Sequence, residues 1–356
     1  MTWQPFYVGT GAAPADPESP VALPPAPPWR EFPRRSLHEQ FVPPPGLVEA
    51  VNAALALRRP LLVTGPAGSG KSTVIEQVAA ELALGTVLRW HITSRSSLTE
   101  ALYRYDALGR IHAQRLKGRD AGDDIAAQRL KGREGGDDLA AQRLKGRDAG
   151  DDIAVQRLKA RDGGDDIAPF LRMGPLGTAL LPTARPRALL IDEIDKSDLD
   201  LPSDLLDVLE RGEFEIPELA RYGADVVHVR EWQGDAHHEV RRGRVQCTEF
   251  PFIVMTSNGE RDFPAAFLRR CVRFTMPLPT PETLLRIVEA HMGPETARTP
   301  EADRLLSVFL ERLTAGESLA VDQLLNAVHL LAGAGAPDEN RRQAIEDLIL
   351  RELSHA

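Results

Sequence analysis

The segment best suited to chemistry is the glycine-rich run GPAGSGKS at residues 65–72, which follows an apolar stretch. Its three glycines allow the backbone to curl so that successive N–H groups point into one concavity, a geometry that binds phosphate oxygens. Lys71 would reach the β- and γ-phosphates of a nucleotide, and the Ser72 hydroxyl would help to hold a magnesium ion. The residues expected to contact the nucleotide are Gly65, Pro66, Ala67, Gly68, Ser69, Gly70, Lys71, Ser72 and Thr73.

The elements around this run are those that a phosphate-binding loop requires. Residues 60–64 (PLLVT) are strand-like, and residues 73–82 (TVIEQVAAEL) have helical spacing. The positive end of such a helix points at the bound phosphates and stabilises them. The alternative is an ordinary glycine turn, which needs neither the strand nor the helix. The context therefore favours a nucleotide site.

Two adjacent acids, Asp192 and Glu193, end the apolar run ALLI. We predict that this run is a buried strand, and ligands of open α/β sheets bind at the carboxyl ends of their strands. Asp192 is suited to hold a magnesium ion through water, and Glu193 to accept a proton from the water that attacks the γ-phosphorus. The alternative is a pair of acids that cap the next helix. The phosphate loop favours the catalytic interpretation.

Two further polar groups follow later predicted strands. Asn258 closes the apolar run at 250–257, where its amide could lie between the γ-phosphate and the attacking water; its alternative role is that of a turn residue before glycine. Arg269 and Arg270 precede the next strand. One of them, supplied to a neighbouring subunit's nucleotide, would stabilise charge in the transition state. The alternative is a solvated basic end of a helix.

The elements that position these groups alternate between strand and helix. Strand-like runs occur at 60–64, 86–92, 187–193, 250–258 and 272–278, and from Pro281 onward the pattern is helical. Such alternation predicts an α/β fold, a parallel five-stranded sheet between helices, followed by a small all-α domain. The predicted divisions are a proline-rich arm at 1–40, a nucleotide-binding core at 41–280 and a helical lid at 281–356.

Composition restricts the class of protein. The chain has 356 residues, 42% of them hydrophobic, and no apolar run approaches the length of about 20 residues that spans a bilayer. The N-terminal residues lack the features of a secretory signal, and two cysteines suggest a reducing compartment, so we expect a cytoplasmic protein. A net charge of −9 argues against wholesale binding to a nucleic-acid backbone, so that partner is not expected.

The predicted core is interrupted by an insertion at 110–169 that contains a tandem repeat. Copies of 14 residues, beginning with QRLKGRDAGDDIAA, start at Gln114, Gln128, Gln142 and Gln156. Each copy has three basic and three acidic residues and few large apolar ones, so it has little to bury. We expect a duplicated surface loop; the alternative is an arm that binds a partner. The polar segment 232–244 is expected to be a solvated hairpin, with metal binding by His237 and His238 as its weaker alternative.

Together these motifs resemble the AAA+ ATPases, from about residue 41 to the C-terminus without the repeats, and most of all the MoxR-like branch. The matching text is Gly174-Pro-Leu, Ile191-Asp-Glu-Ile-Asp-Lys196, the helix from Leu205 to Glu213, and the run from Ser257 to Arg270. The resemblance implies a Walker A motif containing Lys71 and Ser72, and a Walker B motif at Asp192 and Glu193. It implies that Asn258 is the first sensor, and that Arg270, or else Arg269, is the arginine finger.

The resemblance also implies how such a protein works. Its cofactors would be ATP and Mg²⁺, and it would form a homo-oligomeric ring, usually hexameric, with nucleotide between subunits. It would hydrolyse ATP to remodel a partner protein, for example one of the von Willebrand factor A type. One departure is that the region from Glu317 to Leu325, where the family often has a basic second sensor, has no base.

Other functions remain open at this stage. A nucleotide-gated assembly switch in a signalling or defence system would bind ATP and hydrolyse it slowly, and the missing second sensor is compatible with it. A DNA-acting motor is disfavoured by the acidic balance and by the lack of a recognisable nucleic-acid-binding domain.

Overall fold

A computed structural model describes residues 26–31, 41–115, 166–333, 337 and 339–351. The strands are β1 (Leu61–Thr64), β2 (Leu88–His91), β3 (Tyr103–Tyr105), β4 (Leu171–Met173), β5 (Ala188–Asp192), β6 (Glu213–Glu215), β7 (Val226–Arg230), β8 (His237–Arg241), β9 (Arg244–Gln246), β10 (Phe252–Ser257) and β11 (Val272–Thr275). The helices are Leu47–Leu57, Thr73–Glu81, Leu98–Leu102, 107–115, Pro175–Ala179, Leu201–Arg211, Pro217–Ala220, Ala265–Leu268, Pro281–Met292, Pro294–Ala297, Pro300–Thr314, Val321–Leu331 and Glu339–Ile349.

The described chain forms two compact units. The first lies within Met1–Arg95, Pro186–Ser203 and Pro251–Ala356, and the second within Ser96–Arg185 and Asp204–Phe250. The predicted domain divisions at 40 and 280 remain predictions. The helices after Pro281 belong to the same unit as the parallel sheet. Of the predicted proline-rich arm, the described part is 26–31. The repeats from 116 to 165 lie outside the described residues.

The first unit contains a parallel sheet in the order β11-β1-β10-β5-β2. All six residues of β10 are buried, and so are the first four of β5, because helices cover both faces of an all-parallel sheet. The predicted five-stranded parallel sheet is therefore confirmed. The carboxyl ends of β1, β10 and β5 meet at one edge, which brings together the loop at 65–72, Asn258 and Asp192.

The helices after Pro281 have a hydrophobic core of their own. Leu284, Leu305, Phe309, Leu324 and Val328 are fully buried within it. Two of these helices begin alike, with a threonine whose hydroxyl caps the first turn and a proline at the first helical position; the capping residues are Thr280 and Thr299. The predicted helical stretches near 281–292, 301–314, 319–332 and 338–353 all contain helices. That they act as a lid stays a prediction.

The second unit is built on a sheet that we did not predict. Its six strands have the order β3-β4-β7-β8-β9-β6, and neighbouring strands are antiparallel except for β4 and β7. The segment 232–244, predicted to be a solvated hairpin, instead contributes one strand, β8, which pairs with β7 and β9 within this sheet and buries Val240. Buried and exposed side chains alternate along β4, β7 and β9, which gives the sheet one apolar and one polar face. Among the described residues, no helix is long and apolar enough to cross a membrane.

Candidate functional site

The loop after β1 has a backbone that requires glycine. Gly65 and Gly68 have φ angles of 147° and 72°, in the region that side chains rarely adopt. A Cβ atom at Gly68 would lie 2.8 Å from the backbone nitrogen of Val321, and one at Gly65 would lie 2.8 Å from the Cβ of Met276. Larger residues at either position would therefore distort the loop and push it away from the elements that support it.

The same loop leaves several backbone donors available. The N–H groups of Gly68, Gly70, Lys71 and Ser72 donate to no other described residue. The first hydrogen bond of the following helix joins Thr73 N–H to the carbonyl of Gly70, at 3.0 Å. Successive donors of this kind, at the start of a helix of nine residues, form an anion-binding concavity. These four N–H groups can donate to phosphate oxygens without losing an existing hydrogen bond.

Lys71 is the buried cation of the site. Its ammonium donates to the carbonyls of Gly65 and Pro66, at 2.8 and 2.7 Å, and to Oδ1 of Asn258 at 2.8 Å. Burial lowers the pKa of Lys71, whereas the carboxylates of Asp192, Asp195 and Glu193 act in the opposite direction. The ammonium therefore lies among three carboxylates, and all three of its N–H donors are engaged by protein oxygens.

Asp192 connects the loop to the neighbouring strand. Its Oδ1 accepts hydrogen bonds from the hydroxyls of Ser72, at 2.9 Å, and Thr256, at 2.5 Å. A serine hydroxyl and a carboxylate are hard oxygen donors, which suit Mg²⁺. The residues present therefore fit a magnesium ion completed by phosphate and water oxygens. Among the described residues, no group of three or more His, Cys, Asp or Glu side chains could hold a metal, and His238 instead contacts Glu231.

Glu193 lies in an unusual conformation directly after Asp192. Its φ is 59°, in the left-handed region that is uncommon for a residue with a side chain, and its N–H donates to the hydroxyl of Thr256 at 2.9 Å. Its carboxylate contacts the ammonium of Lys196 at 2.8 Å and the ring of His91 at 3.6 Å. The side chain expected to act as a base is therefore engaged by two basic groups.

Asp195 supports the loop that carries Asn258. Its side chain is buried, and its Oδ2 accepts from the backbone N–H groups of Asn258, at 2.9 Å, and Glu260, at 3.1 Å. Its Oδ1 has no hydrogen-bond partner among the described residues. Sequence reasoning missed both Asp195 and Thr256. A weak signal existed, because each is a polar residue within or beside an otherwise apolar run.

The structure brings some of the expected site residues together and leaves two apart. Lys71 donates to Asn258 and Ser72 donates to Asp192, and these two pairs adjoin because Lys71 and Ser72 are consecutive residues of the loop. Neither Arg269 nor Arg270 takes part in these hydrogen bonds. Nη1 of Arg270 donates to the carbonyl of Ala266 at 3.2 Å, and the carbonyl of Arg269 accepts from Arg59 at 3.2 Å. Both arginines directly follow the helix Ala265–Leu268.

Comparisons with known proteins add little. No family model and no curated protein matches the chain. Among solved structures, it is similar to NtrX from Brucella abortus in complex with ATP, with 15% identity and a TM-score of 0.39 over 82% of this chain. The matched part is 50% of NtrX, so the chain spans about half the length of that protein. A similarity this low carries no argument about fold or function, which must come from the site itself.

Proposed function

We propose that the chain binds MgATP and hydrolyses it as an AAA+ ATPase of the MoxR-like type, which assembles into a ring and remodels a partner protein. The observation that carries the proposal is that two hydrogen-bonded pairs, Lys71 with Asn258 and Ser72 with Asp192, meet at the carboxyl edge of a parallel sheet. Ligands of open α/β sheets bind at this edge.

The phosphate loop supplies the binding step. The N–H groups of Gly68, Gly70, Lys71 and Ser72 donate to phosphate oxygens, and the helix Thr73–Glu81 directs its positive end toward them. Lys71 already donates to three protein oxygens, so it must give up at least one of them to bind phosphate. Asn258 is the most suitable to be displaced because it is a side chain, whereas the carbonyls of Gly65 and Pro66 belong to the loop itself.

Ser72 and Asp192 provide the ligands of the metal. When bound, Mg²⁺ neutralises charge on the transferred phosphate. Ser72 is suited to bind it directly, and Asp192 through water, because Mg²⁺ keeps several waters in nucleotide sites. Thr256 donates to the same oxygen of Asp192 as Ser72 does and so helps to fix the orientation of the carboxylate.

Glu193 and Asn258 act on the attacking water. Glu193 accepts its proton, and Oε1 is the oxygen suited to this step because Lys196 and His91 both contact Oε2. Asn258, once released by Lys71, orients the water against the γ-phosphate. Asp195 keeps the Asn258 backbone in place during this exchange through two backbone hydrogen bonds.

Arg270, with Arg269 as the second choice, would act on the nucleotide of a neighbouring subunit. This part of the proposal depends on the family resemblance. It is compatible with the lack of a hydrogen bond from either arginine to Lys71, Ser72, Asp192 or Asn258 in the described structure. Ring assembly, usually hexameric, and a partner of the von Willebrand factor A type come from the same resemblance. Nucleic acid is not the expected partner.

The test is the steady-state ATPase rate as a function of protein concentration, for the wild type, Glu193→Gln and Arg270→Ala. We expect a rate per subunit that rises with concentration as assembly proceeds. In both variants it should fall by about a hundredfold or more. Full activity of either variant would refute the role given to that residue, and a rate independent of concentration would refute the shared site.

A second candidate function is a nucleotide-gated assembly switch with slow hydrolysis. The observation that favours it is the engagement of the Glu193 carboxylate by Lys196 and His91, together with the lack of a base between Glu317 and Leu325. Under this alternative, MgATP would drive assembly, as measured by light scattering, without measurable turnover. Under the leading proposal, assembly and turnover occur together.

A further inference from the structure

The second unit presents a row of basic side chains across four adjacent strands. Arg104 of β3 lies directly opposite Arg172 of β4, and Arg172 is in register with Arg230 of β7. His237 of β8 continues the row opposite Arg230. All four residues are exposed, and residues directly opposite one another project from the same face of a sheet. We call these four residues the arginine row.

This arrangement has an electrostatic cost. Opposite residues in a sheet have Cβ atoms only about 5 Å apart, and like charges placed there are destabilising. Arg230 is compensated by an ion pair with Asp235. Arg104 and Arg172 have no carboxylate partner among the described residues. Within the described ranges, two neighbouring positive charges on the exposed face therefore lack a compensating carboxylate.

An aromatic ring holds these two guanidinium groups in place. The Cζ atoms of Arg104 and Arg172 lie 5.0 and 5.6 Å from the centre of the Trp232 ring, within the range of cation–π attraction. Arg172 also donates to the carbonyls of Glu231 and Trp232. Trp232 is itself anchored through its main chain, because its backbone N–H donates to the buried hydroxyl of Thr178 at 2.9 Å. The two guanidinium groups are therefore oriented before any ligand binds.

We propose that the arginine row binds an acidic segment of a partner protein, with Arg104 and Arg172 each binding one carboxylate. A guanidinium fork matches the two oxygens of a carboxylate, and a pre-oriented fork loses little side-chain entropy on binding. This surface is separate in sequence and in function from the nucleotide site, and the inference does not depend on ATP hydrolysis.

Two observations favour an acidic peptide over a nucleic acid. Sites for single strands usually offer an open aromatic face on which bases stack, but the Trp232 ring already has both guanidinium groups against it. The row is also bordered by the acids Asp235 and Glu239, which would repel a continuous phosphate backbone but leave room for a short segment. The net charge of −9 also disfavours the binding of a long polyanion such as a nucleic acid.

The test measures fluorescence anisotropy of three labelled probes with the full chain and no nucleotide. The probes are a short peptide of alternating Glu and Ser, its Gln and Ser counterpart, and an oligothymidylate of similar length. The variants are Arg104→Gln with Arg172→Gln, and a control, Arg241→Gln with Arg242→Gln. The control removes the same charge from the same unit but at arginines that already pair with Glu239 and Asp225.

We expect the wild type to bind the Glu peptide and not the Gln peptide. The Arg104 and Arg172 double variant should weaken this binding about tenfold or more, and the control should change it by less than about twofold. Replacing both residues by lysine keeps the charge but removes the forks, and should weaken binding about threefold. If the glutamine double variant does not fold, the lysine double variant tests the proposal.

Three results would overturn the proposal. The first is equal binding of the Glu and Gln peptides by the wild type. The second is an equal loss of Glu-peptide binding in the double variant and the control. The third is tighter binding of the oligothymidylate than of the Glu peptide through the same two arginines, which would make the row a nucleic-acid surface.

Discussion

The nucleotide site and the arginine row use charge in opposite ways. In the first unit, Lys71 is buried, every donor of its ammonium is engaged, and acids surround it. In the second unit, Arg104 and Arg172 are exposed and adjacent, have no carboxylate partner in the part of the chain that the structure describes, and lie against an aromatic ring. A closed group can receive a ligand only by exchanging contacts, which permits selectivity and coupled movement. An open row can bind without rearrangement, which suits docking.

The two cysteines of the chain give each unit its own probe, Cys271 in the first and Cys247 in the second. Burial raises the pKa of Cys271 to about 12 from an ordinary value of 9.0, against the opposing effect of Arg59 and Arg273. A shift of three pKa units lowers the thiolate fraction about a thousandfold. We expect Cys271 to react with iodoacetamide at pH 8 about a thousandfold more slowly in the folded protein than in urea.

Cys247 is less buried, and its pKa is raised in the same direction. Its folded-state reaction should be slowed less than that of Cys271, as peptide mapping of the labelled protein would measure. The pH dependence has a definite sign. The folded state keeps the Cys271 proton while the unfolded state loses it, so stability should fall as pH rises from about 9 toward 12. Equal labelling rates for the two thiols would contradict the difference in burial.

Two buried threonines allow a matched comparison of the units. The hydroxyl of Thr256 accepts the N–H of Glu193, and that of Thr178 accepts the N–H of Trp232. Replacing either by valine leaves one buried N–H unpaired, so each should lower the free energy of unfolding by about 1–3 kcal/mol. Urea denaturation measures this.

The functional consequences of these two substitutions should differ. Thr256→Val removes a donor from Asp192 and should slow ATP hydrolysis about fivefold or more, whereas Thr178→Val should not. Thr178→Val should instead weaken binding of the Glu peptide, because it loosens Trp232. Slower hydrolysis in both variants to the same extent would mean that the effect is only one of stability.

The smallest expected effect concerns two half-exposed ion pairs. Lys196→Met removes the cation from Glu193, and Arg230→Met removes the cation from Asp235. Such pairs contribute at most about 1 kcal/mol, so the unfolding free energy should hardly change in either variant. If Lys196 holds Glu193 away from the attacking water, its loss should speed ATP hydrolysis by up to about fivefold, with no change for Arg230→Met. A loss of hydrolysis as large as that of Glu193→Gln would contradict this role.

The parallel sheet could be predicted because β1, β5 and β10 are short, mostly apolar runs, and because apolar and polar residues alternate along β2 and β11. The second sheet could not. Four of its strands, β3, β4, β6 and β9, have three residues each, which is too short for an alternating pattern to be recognised. Their pairing also joins segments far apart in the chain, such as β3 with β4 and β4 with β7.

The residues of the site also divide into those that the sequence predicts and those that it does not. Lys71, Ser72, Asp192 and Asn258 lie in short motifs whose chemistry can be deduced from spacing. The positions of Thr256 and His91 beside the site depend instead on the register between strands. Ile191 pairs with Met255, so Asp192 comes beside Thr256, and His91 pairs with Asp192 across β2 and β5. Such proximity follows from tertiary pairing, which a local pattern does not contain.

The most direct test of the account is a calorimetric titration of MgATP into the wild type, Lys71→Met and Arg172→Gln. We predict one site per chain in the wild type, an unchanged affinity in Arg172→Gln, and an affinity at least about a hundredfold weaker in Lys71→Met, because the buried cation that faces the phosphates is lost. If the wild type bound no MgATP, or if Lys71→Met bound it as tightly as the wild type, the proposed nucleotide site would be wrong.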